Sequence, residues 1–126
     1  MKNRGLGDSF KNACIGIRQA FITERNIKIH CIIAVLACLL AGILKFSKYE
    51  WIVIILVIII VIVTEMLNTA VEYSIDMVCG NKYSDIAKYA KDIAAGATLI
   101  SALGAVLVAV ILYIPKILDL LKLYLL

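Results

Sequence analysis

Three carboxylates and one amide share a single helical face in this sequence. At about 100° per residue, Glu65, Asn68, Glu72 and Asp76 fall within about a third of a turn of one another. The same stripe read backwards, through Val61, Ile58 and Ile54, is purely aliphatic. Charge placed in so oily a context is costly and marks a site. Lys91, Asp92 and Glu24 are the other groups able to act near it. Carboxylates with open coordination suit Mg²⁺, which takes one or two of them together with phosphate oxygens. A lysine offsets phosphate charge during phosphoryl transfer. A further carboxylate can accept a hydroxyl proton as general base. Such a set can move a phosphoryl group from a nucleotide to the hydroxyl of a membrane lipid.

The elements that must position these groups read as membrane helices. The chain has 126 residues, 63% of them hydrophobic, and its mean hydropathy is +1.01. The apolar residues come in long runs rather than in soluble-type alternation. The expected fold is an all-α membrane protein forming one domain over 1–126. An amphipathic surface helix covers about 9–25, and three spans cover about 27–46, 51–77 and 93–114. In the first helix Phe10, Ala13, Cys14, Ile17 and Phe21 recur at helical spacing while Lys11, Arg18 and Arg25 take another face, as in a helix lying on a bilayer. Residues 1–8 read as a loose tail, with Asp8 or Ser9 as the N-cap. Residues 47–50 read as a tight turn and Cys79–Tyr89 as a polar connection stopped at Gly80-Asn81. Pro115 is expected to close the third span, leaving 116–126 as an interfacial tail. Gly96 and Gly104 are expected to let helices approach closely.

Other chemistries find no support in the pattern. No phosphate-binding glycine loop, nucleophile triad or zinc spacing is present, and the single histidine is His30. The four cysteines read as small packing residues. No aromatic-studded basic stripe suggests nucleic acid, and 1–28 lacks the apolar core of a signal peptide. Nine of the thirteen basic residues fall in the amino-terminal segment up to Lys28, at the start of the first span, or between the second and third spans. That bias puts the amino terminus, the second loop and the acidic stripe at the cytoplasmic face of the plasma membrane. Glu65 then lies about 21 Å along its helix from Trp51, roughly two thirds of the way to the cytoplasm. A small transporter or passive assembly subunit is a distant alternative; transport needs groups reachable from both faces, and the outward halves of the spans carry no charge.

The stretch Glu65-Met-Leu-Asn68-Thr-Ala-Val-Glu72, followed by Lys91-Asp92-Ile-Ala-Ala-Gly96-Ala, resembles the prokaryotic diacylglycerol kinase family over about residues 9–115. The resemblance implies a trimeric, multi-pass inner-membrane enzyme whose site is built across a subunit interface. It implies Glu65 as catalytic base and Glu24 and Glu72 as ligands of the Mg²⁺ accompanying ATP. It further implies Asn68, Lys91 and Asp92 lining the nucleotide and phosphate site. The segment Thr23-Glu24-Arg25-Asn26-x-x-x-His30 resembles the Gram-positive branch, in which undecaprenol is the phosphorylated lipid. The expected reaction is therefore phosphorylation of undecaprenol, with diacylglycerol the alternative acceptor. No role is assigned to Asp76 or His30.

Overall fold

Four helices follow one another in the computed structural model, which describes residues 5–80 and 82–125. They are α1 (Leu6–Thr23), α2 (Arg25–Ile43), α3 (Lys48–Cys79) and α4 (Asp85–Leu125). The segments α2, Lys48–Cys79 and Asp85–Leu123 are each long and apolar enough to cross a membrane. The all-helical, three-span expectation holds at that level. The basic residues Lys2 and Arg4 and the stop residue Asn81 lie outside the described residues.

Helix α1 begins earlier than the sequence suggests. Gly5, in extended conformation, is its N-cap and accepts the backbone N–H groups of Asp8 at 3.0 Å and Ser9 at 3.2 Å. Asp8 is thereby a first-turn residue, where the helix dipole favours an acid, and 6–8 are not a tail. The helix ends at Thr23 rather than running through residue 25. Glu24 leaves the helix (φ −93°, ψ 118°): its N–H donates to Ala20 O at 2.9 Å and closes α1, and the same residue occupies the N-cap position of α2. Carbonyls near the end of α1 accept side-chain donors from both sides of the break. Thr23 Oγ1 donates to Gln19 O at 3.0 Å, and Lys28 Nζ from α2 donates to Ile22 O at 2.8 Å. Only Ala20 of α1 is buried within the chain.

The joint between α2 and α3 falls earlier than expected, at residues 44–47 rather than 47–50. Lys45 takes a positive φ of 52°, which turns Phe46 inward, where it is buried. Ser47 then caps α3: its Oγ accepts the Glu50 N–H at 3.4 Å, while its own N–H donates to Glu50 Oε2 at 2.6 Å. Residues 48–50 are the first turn of α3, not a loop, because this reciprocal capping box satisfies its end. At its far end α3 runs on to Cys79. Gly80 closes it at φ 56° and ψ −129°, a region glycine enters without Cβ strain. The connection shrinks to 80–84, and Ser84 caps α4 by accepting the Ala87 N–H at 3.4 Å.

Pro115 does not close the third span. It sits inside α4, which continues to Leu125. Membrane helices tolerate proline because neighbouring groups compensate the lost bond. Here the next residue, Lys116, reaches Glu50 of α3 at 3.0 Å and holds the extension against the bundle. Within one chain, and among the described residues, no close approach is seen at Gly96 or Gly104: a Cβ at either would meet nothing within 4 Å.

Packing concentrates on α3, which lies against α4 most extensively, then against α2, and also touches α1. Its stripe Ile54, Val61, Glu65, Asn68 and Thr69 is buried. The apolar cluster gathers at one end: Ala41, Phe46, Ile54 and Tyr113, flanked by Trp51, Ile58 and Leu112. Elsewhere large apolar side chains such as Ile59, Leu67, Leu103 and Leu107 face outward. Such surfaces are at home in lipid or against other helices.

Candidate functional site

The acidic stripe of α3 is buried where the sequence turns from oily to polar. Glu65 is 4% exposed and Asn68 9%, while Glu72 is half-buried and Asp76 exposed. Burial follows from α2 and α4 packing over the face that Ile54 and Val61 begin. Two hydroxyls brace that face. Thr69 Oγ1 donates to the Glu65 carbonyl at 3.1 Å. Thr64 and Ser101 share a 2.8 Å hydroxyl–hydroxyl bond that ties α3 to α4 beside Glu65.

Within the stripe the structure joins Asn68 to Glu72. The amide Nδ2 donates to Glu72 Oε1 at 3.1 Å, the i, i+4 contact expected of one helical face. Glu24 is brought in from the α1–α2 break: Thr23 Oγ1 donates to its Oε1 at 3.2 Å, and Tyr73 OH of α3 donates to the same oxygen at 3.4 Å. Glu24 therefore stands beside the neighbour of Glu72 in the chain. Each of the two carboxylates has Oε1 engaged and Oε2 without a hydrogen bond from the described residues.

Lys91, on the first turns of α4, forms an ion pair with Asp76. This gives Asp76 a partner that the sequence pattern did not assign. Asp92 is exposed. With Asp76, Lys82, Ser84, Lys88 and Lys91 it lines an open pocket of about 240 Å³ over the α3–α4 connection. His30 lies elsewhere, half-buried at a mainly apolar cleft of about 240 Å³ between α2, α3 and α4, with Ile33, Val61 and Ala105.

The expected site residues thus fall into linked pairs rather than one closed cluster. Asn68 and Glu72 touch, and Glu24 joins through Tyr73. Lys91 is held by Asp76, and Asp92 borders the same pocket. The Glu65 carboxylate takes no hydrogen bond or ion pair from any described residue. No three His, Cys, Asp or Glu side chains among the described residues converge on a metal-sized cavity. The donor set still fits Mg²⁺, which needs only one or two protein carboxylates beside phosphate oxygens, and Glu24 and Glu72 each keep one oxygen open. Sequence reasoning missed Tyr73, which meets Glu24 across 49 residues. It also missed the Thr64–Ser101 bridge, although a serine alone in the middle of an apolar run was its signal.

Comparison with known proteins follows the same residues. The profile of the family described as prokaryotic diacylglycerol kinase matches residues 11–113. A diacylglycerol kinase of Synechocystis is 39% identical over 112 residues, covering 89% of this chain and 64% of that protein. An undecaprenol kinase of Bacillus subtilis is 34% identical over 108 residues, covering 86% of this chain and 87% of that protein. A diacylglycerol kinase of Helicobacter pylori is 33% identical over 85 residues, covering 68% of this chain and 66% of that protein. The chain spans just under two thirds of the length of the Synechocystis relative and most of the Bacillus one.

Proposed function

The chain belongs to the prokaryotic diacylglycerol kinase family, and on that premise we propose that it is an ATP-dependent lipid kinase whose preferred acceptor is undecaprenol. The observation that carries the reading is Glu65: an acid 4% exposed, on a helix apolar enough to span a membrane, with no cation among the described residues to neutralise it. An acid so placed can take a proton from a hydroxyl that arrives through the bilayer. The acceptor's hydroxyl binds at Glu65 with its chain still in lipid. Glu65 accepts the hydroxyl proton as the oxygen attacks the γ-phosphorus of ATP, the bond from that phosphorus to the β–γ bridging oxygen breaks, and ADP leaves with the bonding electrons.

Glu24 and Glu72 would hold the Mg²⁺ that accompanies the nucleotide; when bound, this ion offsets charge on the phosphate oxygens. Thr23, Tyr73 and Asn68 orient those carboxylates by engaging one oxygen of each. Lys91 and Asp92, bordering the pocket over the α3–α4 connection, face the nucleotide side, with Lys91 exchanging Asp76 for phosphate oxygens. The site faces the cytoplasm of a bacterial cell, where ATP is available, and the basic residues near α1 and the second loop support that orientation. α1 lies on the membrane surface. The working unit is a homotrimer whose site draws Glu24 and Glu65 from different protomers, as the largely outward-facing apolar surfaces of α3 and α4 allow.

The substrate reading rests on the Thr23–His30 segment and on the 34% identity to the Bacillus undecaprenol kinase. Diacylglycerol is the second reading, favoured by the 39% identity to the Synechocystis enzyme. The test is the initial rate of phosphoryl transfer from labelled ATP to each lipid in mixed micelles at constant detergent. Faster turnover of undecaprenol than of diacylglycerol, with both detectable, is the expected result. A clear preference for diacylglycerol would overturn the substrate while leaving the kinase mechanism, and transfer to neither would reject the enzyme.

A further inference from the structure

Among the described residues, Asn68 Oδ1 is the buried side-chain oxygen that lacks a hydrogen-bond partner. The residue is 9% exposed, and its Nδ2 is already committed to Glu72 Oε1 at 3.1 Å. Asn68 lines a groove of about 450 Å³ between α3 and α4, with Thr64, Leu67, Val71, Ala90 and Ala94. Among the described residues, the groove supplies no donor to Oδ1. Its other polar group, the Thr64 hydroxyl, is spent on Ser101 and on the carbonyls of Ile60 and Val61. An amide oxygen buried in this way is destabilising unless something arrives to meet it.

The neighbours of Asn68 indicate what arrives. Glu65 lies three residues before it and Glu72 four residues after it, on the same face. Glu72 keeps one oxygen open, and Glu65 has no described partner. Lys91, a cation on the facing helix, is taken by Asp76. Among the described residues, oxygen acceptors are therefore in excess and no donor reaches the amide oxygen. A hydrogen-bond donor would satisfy the amide alone, whereas a hard divalent cation satisfies amide and carboxylate oxygens together. We infer that Asn68 Oδ1 is a third protein ligand of the divalent cation, alongside Glu72 one turn away. Side chains at i and i+4 lie about 5–6 Å apart at Cβ and can share one ion. This assignment rests on the reading of Glu72 as a ligand of the nucleotide's Mg²⁺. It also explains why Asn68 turns its nitrogen to Glu72: the bond orients the carboxylate and leaves the amide oxygen for the ion.

The test is direct binding of Mn²⁺, a spin-active substitute for Mg²⁺, to the purified full chain in micelles with a non-hydrolysable ATP analogue. Free Mn²⁺ is read by electron paramagnetic resonance, so turnover plays no part. Asn68→Leu keeps the shape without the oxygen and is expected to weaken Mn²⁺ binding roughly tenfold or more. Asn68→Asp keeps an oxygen and sets a second charge one turn from Glu72, so it is expected to bind Mn²⁺ at least as tightly as wild type. Unchanged affinity in Asn68→Leu, with loss in Glu72→Gln, would reject the amide ligand and leave Glu72 standing; the partner of Oδ1 would then be water or a substrate hydroxyl. Unchanged affinity in Glu72→Gln would reject the reading of Glu72 itself. If Asn68→Leu does not assemble, Asn68→Asp decides, since weaker Mn²⁺ binding in that variant also overturns the inference.

Discussion

The two ends of the helix bundle treat their polar groups in opposite ways. At the Phe46 end they complete one another. Tyr113 OH donates to Ala37 O at 2.8 Å, and Glu50 answers both the Ser47 N–H and Lys116. Lys116 Nζ also lies 5.4 Å from the centre of the Phe46 ring. That ring packs against Tyr113 at 4.7 Å and edge-on to Trp51 at 6.5 Å. At the Glu72 end, among the described residues, Glu65 is buried with no counter-ion, Asn68 Oδ1 has no partner, and Glu24 and Glu72 each keep one oxygen free. The lesson is that groups which satisfy each other hold a fold, while groups left unmet in the same apolar surroundings are kept for something that arrives.

The sharpest way to break that contrast is to remove the proton acceptor. Glu65→Gln keeps the shape and is expected to lower turnover by about 10² to 10⁴-fold while helix content and assembly stay at wild-type level. Near-normal turnover would end the assignment of Glu65 as base. Next comes the division of the site between chains. Glu24→Gln and Glu65→Gln are each expected to be inactive alone, and mixed assemblies of the two to regain part of the activity. Absence of rescue in verified mixed oligomers would place both residues of one site in a single chain.

At the opposite end the effect should fall on stability. Tyr113→Phe removes one bond to a backbone carbonyl and is expected to cost about 0.5–1.5 kcal/mol, read from thermal unfolding in micelles, with turnover per folded enzyme unchanged. A fall in turnover as large as that of Glu65→Gln would dissolve the distinction between the ends. The smallest effect is expected for Lys116→Ala. Its ion pair with Glu50 is partly exposed, 29% and 23% for the two side chains, and such pairs contribute about 0–1 kcal/mol.

What could be read in advance follows from the range over which each contact acts. The stripe Ile54 to Glu72 was legible because a long unbroken helix keeps its phase, and the Asn68–Glu72 contact falls out of that phase. The capping box Ser47-x-x-Glu50 was equally local and was there to be read; taking residues 47–50 as a loop overlooked it. Continuation of α4 through Pro115 was not legible, because a proline ordinarily marks a helix end and the tolerance of a membrane helix for it comes from neighbouring groups. Nor was the break at Glu24, set by Lys28 and Thr23 capping a helix that must turn. The approach of Tyr73 to Glu24 joins positions 49 apart, and no periodicity carries that information.

The Thr64–Ser101 bond has a consequence for sequence variation. Replacing one of these hydroxyls with an aliphatic group breaks the tie between the helices and leaves the other only its own helix's carbonyls, Ile60 and Val61 for Thr64 or Thr98 for Ser101, while replacing both with groups of similar shape is nearly neutral. Substitution at either position therefore opens the way for substitution at the other. Across diverging relatives, positions 64 and 101 should change as a pair, hydroxyl with hydroxyl or aliphatic with aliphatic. That covariation would arise from packing alone and persist even where the preferred lipid has changed.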